Sequence, residues 1–437
     1  MSAEVLNDGS GSLLTRRAFV HLAAVAVAAL GADPSIASEA ASDSIAQAFD
    51  REMEGFLKTM QTPGGALAVV KGGRLVYARG YGWADREKRE PVHADSLFRL
   101  ASVSKPITAV AVMKLVERRK LSLEARAFDL LGLTPLLVPG TRPDARLASI
   151  TVRHLLQHTG GWDRDQSFDP MFRSALIAAK VGSPSPANSA AVIRYMLGQP
   201  LDFTPGTRYA YSNFGYCVLG RIIEHVTGRG YERFVREEIL APIGIRRMRI
   251  GASLASGRAP KEVCYYTRDN SAEESVFPSV KGKVPVQYGG FDLAAMDANG
   301  GWIGSAVDLA RFVAALDPDS RQPLLQPTTQ SLMQAPPPSP VSRQTDGSMQ
   351  ETFYSCGWLT RPVKDTGRAS YWHMGALPGT FTLLVRRWDG LSWVALFNQI
   401  SKLPDGSGSP DSDIDPALHR AAAAVKSWPT EDLFRKW

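Results

Sequence analysis

Lys105 is the residue that most limits how this chain can fold. It heads the run Pro106-Ile107-Thr108-Ala109-Val110-Ala111-Val112-Met113-Lys114-Leu115-Val116, whose apolar side chains fall on nearly every face of a helix. Such a helix is buried all round rather than along one stripe, so the fold must supply packing partners on every side. Pro106 has no N–H and fits only in a first turn, which places the helix start close to Ser102. A lysine inside an apolar segment is costly unless its amine finds partners. Ser102, three residues earlier, lies on the same helix face. Peptide dipoles at a helix N-terminus favour nearby negative charge. A hydroxyl beside an amine there can serve as an activated nucleophile with a stabilised oxyanion. Alone, Ser-x-x-Lys describes a capped helix with a solvated lysine equally well.

The chain has 437 residues, 44% of them hydrophobic, which allows one or two domains with a large core. Its net charge of +7 is not gathered into a basic run or an aromatic-interleaved patch, so no nucleic-acid partner is expected. Residues 1–40 read as an export signal. Thr15-Arg16-Arg17-Ala18-Phe19-Val20 resembles a twin-arginine motif, the apolar stretch from Ala18 to Ala32 is short for a membrane span, and Ser38-Glu39-Ala40 offers a cleavage site. The competing reading is a buried or membrane-anchoring N-terminal helix. Export implies a periplasmic or secreted protein, with no stable membrane insertion after processing. Cys217, Cys264 and Cys356 allow at most one disulfide, and Cys217 and Cys356 read as small core residues. His154 and His158 have helical spacing, but Leu155 stands where a zinc-protease motif needs Glu. No metal and no cofactor is expected.

Ser44 to Met60 reads as an amphipathic helix with Ile45, Phe49, Met53, Phe56 and Met60 on one stripe. Ala66–Val70 and Arg74–Arg79 form a hairpin across Gly72-Gly73, and residues 80–91 read as a polar loop. The chain is then largely helical to about Leu240, with a loop-rich stretch at 162–188. A helix spans Phe214 to Val226, residues 252–300 are irregular, and Ser305 caps a helix. Residues 322–348 read as a mobile loop. Thr380–Arg386 and Leu391–Phe397 form a second hairpin. Asp413 to Trp428 is a closing helix with Ile414, Leu418, Ala422 and Val425 inward. Strands at both ends and helices between predict an α+β fold: an antiparallel sheet flanked by terminal helices, with an inserted all-α domain. One domain is expected to cover 41–430, its sheet part about 41–100 and 300–430 and its helical part about 101–299.

Two further stretches carry chemistry. Tyr211-Ser212-Asn213 lies between a turn and a helix. A phenol beside the Lys105 ammonium would have its pKa lowered and could take the Ser102 proton. The Asn213 amide could orient substrate and hold Lys105. His373-Met374-Gly375-Ala376 begins just before a strand, whose edge could align substrate. The Ala376 N–H could pair with that of Ser102 as an oxyanion hole.

Ser102-x-x-Lys105, Tyr211-x-Asn213 and His373-x-Gly375, in that order, resemble the serine β-lactamase and penicillin-recognising family. Class C β-lactamases, DD-peptidases, D-aminopeptidases and β-lactamase-like esterases are its nearest branches. Flanking segments fit as well: Phe98-Arg99-Leu100-Ala101, His154-Leu155-Leu156-Gln157-His158-Thr159-Gly160, Pro205-Gly206-Thr207, Gly300-Gly301-Trp302 and Leu377-Pro378-Gly379. The likeness covers roughly residues 45–400. It implies a β-lactamase-like fold in which Ser102 attacks a carbonyl, Lys105 and Tyr211 shuttle its proton, and water releases the acyl-enzyme. It implies a structural place for His158.

The third motif departs from the Lys-Thr-Gly usual in efficient β-lactamases. Histidine is mostly neutral at pH 7, and methionine supplies no hydroxyl. Neutral esters, amides, or peptides gripped elsewhere are therefore favoured over β-lactams, with Arg258 and Lys281 as other cations a carboxylate could use. The reading is an exported serine hydrolase acting on a small-molecule or peptide substrate. A class C-like β-lactamase or DD-peptidase is one alternative, and a non-catalytic cell-envelope binding protein is another. Replacing Arg16 and Arg17 by lysine should leave unprocessed precursor in the cytoplasm. Unchanged processing on an immunoblot of cell fractions would exclude the twin-arginine route.

Overall fold

The computed structural model describes residues 34–137, 142–317, 320, 322–400 and 410–437. The twin-arginine stretch therefore lies outside the described residues. An eight-stranded antiparallel sheet forms the backbone of the molecule, in the order β4-β5-β6-β7-β8-β1-β2-β3. Its strands are β1 (Gly64–Lys71), β2 (Arg74–Asp85), β3 (Glu90–Pro91), β4 (Phe353–Tyr354), β5 (Leu359–Val363), β6 (Arg368–Leu377), β7 (Thr380–Arg386) and β8 (Leu391–Phe397). The N-terminal β1 thus pairs with the C-terminal β8 at the centre, Val69 opposite Trp393.

Alternation along the strands sorts two cores. On one face Leu67, Val69, Leu383, Val385, Trp393 and Phe397 meet the terminal helices α1 (Pro34–Met60) and α5 (Pro410–Ala424). Ile45, Phe49, Met53, Phe56 and Met60 of α1 are all buried there, as are Ile414, Leu418, Ala422 and Val425 of and just beyond α5. On the other face Ala66, Ala68 and Val70 join Leu384, Val394 and Leu396 under the helical part of the chain. The alanines keep this face low where α4 (Ala306–Ala314) crosses β1. Ser305 and Asp308 form a reciprocal capping box at the start of α4.

The apolar helix α2 (Ser104–Glu117) is buried from Ser104 through Met113, so its all-round pattern reports real enclosure. It packs against α3 (Asn213–Thr227), which Gly228 ends in a left-handed conformation at φ +66°. Arg99, just before α2, is fully buried without a carboxylate in contact. Its guanidinium donates to the carbonyls of Gln287 (2.6 Å) and Ala252 (2.9 Å) and lies 4.3 Å from the Tyr265 ring centroid. The irregular segment 252–290 is thereby fastened to the nucleophile's approach strand.

Four local expectations change. Residues 80–85 continue β2 rather than forming a loop, because Gly80 and Gly82 admit close backbone neighbours. A Cβ on Gly80 would lie 2.2 Å from the Val92 carbonyl oxygen, and Gly82 adopts φ +64°. The stretch 162–188 contains a helix, Ser174–Val181, that buries Ile177 and Ala178. Within 322–348 a helix spans Pro327–Gln334, with Pro327 in its first turn and Met333 buried. The third motif sits inside β6, which begins at Arg368, rather than ahead of a strand. Pairing with β7 overrides the weak local signal of Arg368-Ala369-Ser370. The cysteines are all free.

Phe49, fully buried between α1 and the sheet, should be among the most costly truncations. Phe49→Ala is expected to lose about 3–5 kcal/mol in urea denaturation. A loss under about 1 kcal/mol would mean that α1 is not held on the sheet.

Candidate active site

Ser102 occupies a one-turn 3-10 segment, Ala101–Val103, that feeds α2. Ala101 has φ +48°, a left-handed conformation that side chains disfavour. Outside contacts hold it. Thr382 Oγ1 donates to the Leu100 carbonyl at 2.8 Å, Thr380 Oγ1 shares its hydrogen between the carbonyls of Arg99 (3.1 Å) and Phe397 (3.0 Å), and the Leu100 N–H donates to Trp302 O at 2.8 Å. Gly375 of β6 presses on the same turn. A Cβ there would stand 2.3 Å from Leu100 O and 3.0 Å from the Ser102 nitrogen. Only glycine permits that approach, and it brings the Gly375-Ala376 backbone beside the Ser102 amide.

Lys105 is completely buried. Its Nζ lies 2.7 Å from Asn213 Oδ1, 2.8 Å from Asn299 O and 3.1 Å from Ser102 Oγ. Burial holds its pKa well below the ordinary lysine value. The Asp169 carboxylate opposes that shift, and the Arg164 guanidinium adds to it. A neutral amine has two N–H groups and one lone pair. The two amide oxygens can only accept, so they take the N–H groups and the lone pair is left for the Ser102 hydroxyl. Asn213, first residue of α3, is itself oriented by Asp169, whose Oδ2 accepts from Nδ2 at 2.5 Å.

Tyr211 differs from expectation. Burial pushes its phenol pKa up, a side-chain hydrogen bond with Ser102 acting the other way. The Lys105 amine lies 4.7 Å from its ring centroid. An amine that is itself driven towards neutrality cannot stabilise a phenolate, so Tyr211 stands ready as a proton donor rather than a base. Ser212 caps α3 by accepting from the Gly215 N–H, and its own N–H donates to His158 Nδ1 at 3.1 Å. His158, fully enclosed with its ring 4.4 Å from that of Tyr211, supports this loop. His154 makes a capping box with Thr151. Among the described residues no group of three or more His, Cys, Asp or Glu could hold a metal ion.

His373 is buried, and both ring nitrogens are occupied. Nδ1–H donates to Met374 O at 2.6 Å, which leaves Nε2 to accept from the Tyr354 hydroxyl at 2.9 Å. Burial and Lys105 push its pKa down to about 3, so it is neutral at physiological pH and has no nitrogen free for a substrate. Ala376 is exposed beside a cavity of about 610 Å³ walled by Val286, Leu377, Pro378 and Ile400. A second cavity, of about 450 Å³, shares Val286 and Pro378 and reaches Arg164, Asp169, Phe172 and Phe291. Another recess, about 850 Å³, lies at the far edge by Gly72, Arg311 and Phe434, away from this cluster. Arg258 donates to the Glu262 carbonyl, and neither it nor Lys281 lines the two cavities beside the site. Ser102, Lys105, Tyr211 and Asn213 thus converge, with Gly375 and Ala376 alongside. Asn299, Asp169, Arg164 and Tyr354 join them without having been singled out. For Asn299 the adjoining Gly300-Gly301-Trp302 was the available signal.

Residues 49–415 match the family model described as Beta-lactamase. The chain is 27% identical to penicillin-binding protein 4* of Bacillus subtilis over 74% of this chain and 65% of that protein. It is 32% identical to esterase EstB of Burkholderia gladioli over 46% of this chain and 51% of that one. It therefore spans about half to two thirds of the length of these curated relatives. The D-amino acid amidase of Ochrobactrum anthropi SV3, solved with L-phenylalanine amide, shares the fold. Its TM-score is 0.64 at 21% identity, over 88% of this chain and 98% of that one.

The opposing field of Asp169 gives a pH test. Asp169→Asn removes a charge that raises the Lys105 pKa, so the acidic limb of kcat/KM should move to lower pH. Profiles of 4-nitrophenyl acetate hydrolysis from about pH 5 to about pH 9 would read it. An unmoved or upward-shifted limb would detach Lys105 from that limb.

Proposed function

The chain belongs to the Beta-lactamase family, a family of hydrolases, and from that premise we propose that it is an exported serine hydrolase. It cleaves an ester or amide bond through an acyl-enzyme on Ser102. The observation that carries this reading is the Lys105 amine, placed 3.1 Å from Ser102 Oγ with its N–H groups committed to Asn213 and Asn299. The lone pair takes the hydroxyl proton as Oγ attacks the carbonyl. The N–H groups of Ser102 and Ala376 receive the oxyanion. The Tyr211 phenol gives its proton to the leaving group and recovers one from the Lys105 ammonium. Water then releases the acyl group by the reverse route.

The third motif gives no grip on a substrate anion, because His373 is neutral and spent on Tyr354 and Met374. A β-lactam carboxylate gains no charged partner from the third motif, and such a contact is worth about 1.5–3 kcal/mol. A binding protein without turnover would have no use for a buried amine beside a hydroxyl, since that pairing opposes stability.

Ser102→Ala should lower turnover at least about a thousandfold while leaving the fold intact by circular dichroism. In a panel of short-chain 4-nitrophenyl esters, D-amino-acid amides and a chromogenic cephalosporin, kcat/KM should be higher for the best ester than for the cephalosporin. Fluorophosphonate labelling of another serine, or faster cephalosporin opening, would overturn the assignment.

A further inference from the structure

Arg164 stands apart from the other charged groups near the nucleophile. Its guanidinium carbon lies 4.7 Å from the Tyr211 ring centroid, on a ring that also faces the Lys105 amine. It makes no hydrogen bond to any described residue. The nearest carboxylate, Asp165, is 3.8 Å away and 87% exposed, which makes a weak surface pair. The Arg164 side chain is 40% exposed and opens into the cavity of about 450 Å³ whose aromatic walls are Phe168, Phe172 and Phe291. Of the described charges there, only Arg164 stacks on the Tyr211 ring that faces Lys105. Asp169 is committed to Asn213, and Arg173 and Glu273 line the same cavity with opposite signs. Lys105 is spent on its three oxygen partners, and His373 on Met374 and Tyr354.

We propose that Arg164 is a specificity-determining residue that docks a carboxylate carried by the substrate, one apolar spacer away from the scissile ester or amide. A planar guanidinium with unused N–H groups pairs bidentately with a carboxylate. The aromatic walls suit the spacer between that anion and the reacting carbonyl. The anion is thus gripped from the helical side of the cleft, opposite in origin to the third-motif strand. This rests on the acyl-enzyme reading above.

The carboxylate can belong to the acyl group or to the leaving group, and two ester pairs distinguish these. Mono-4-nitrophenyl glutarate is compared with 4-nitrophenyl butyrate, and 3-acetoxybenzoate with phenyl acetate. In Arg164→Ala the anionic-to-neutral ratio of kcat/KM should fall at least about tenfold in one pair, with Arg164→Lys in between. The wild-type preference should weaken with added salt. A ratio changed less than about threefold in both pairs, with equal losses on neutral and anionic esters, would make Arg164 a support for the Tyr211 ring and overturn the proposal. Calorimetry on the Ser102→Ala protein separates this from failure of the acyl-enzyme reading. Monomethyl glutarate should bind more tightly than dimethyl glutarate, and Arg164→Ala should abolish the difference. That preference persisting in Arg164→Ala, or its absence from the parent, overturns the docking role even if Ser102 never acylates.

Discussion

A primary amine shut away from water, with oxygen acceptors around it but no carboxylate in contact, is the constraint that the surrounding structure serves. The Lys105 amine reaches that environment only because α2 is enclosed on all faces, and because two of its partners arrive from 108 and 194 residues further along the chain. Left in water it would be an ammonium and useless as a base. Placed in the core without Asn213 and Asn299 it would leave unsatisfied donors at a cost of about 1–3 kcal/mol each. The fold therefore has to close the helical part against the sheet before the amine acquires its chemical character.

The sheet contributes through contact rather than through side-chain chemistry. Gly375 lets β6 touch the turn that carries Ser102, and Thr380 and Thr382 of β7 bond to the two carbonyls that lead into it. The left-handed Ala101 is stable because these partners over-determine it. Met374 and His373, the residues that set this third motif apart, turn to internal bonding. The strand therefore offers substrates its backbone edge and little charge.

Much of this was legible before any coordinates. The apolar faces of α1 and α5 carry helical periods, α2 is apolar all round, and both terminal hairpins have glycine at the turn, so local physics and tertiary structure agree. The spacing of Ser102 and Lys105 and the position of Tyr211 before a helix placed the core of the site. What failed was long-range. Residues 80–85 look like a loop because their glycines serve a close strand crossing rather than a turn. The Tyr211 acidity was misjudged because proximity to a lysine suggests a phenol made more acidic, whereas enclosure drives the phenol pKa up and the lysine pKa down. Arg164 and Asp169 sit in a stretch with no periodicity at all, and only folding brings them to the nucleophile.

Arg99 bears on how such a chain could be re-engineered or diversify. It fastens residues 252–290 through two backbone carbonyls, at Ala252 and Gln287, and through the Tyr265 ring, none of which depends on the side chains at the segment's tip. A graft that preserves these anchorages can change length and composition between them without disturbing Ser102. A lysine at position 99 would not serve, since an ammonium is a point charge and only a planar fork reaches two separate carbonyls while stacking on an aromatic face. The buried guanidinium and the Leu97 backbone pairing with Lys261 and Val263 thus tie this segment to the strand that leads to Ser102.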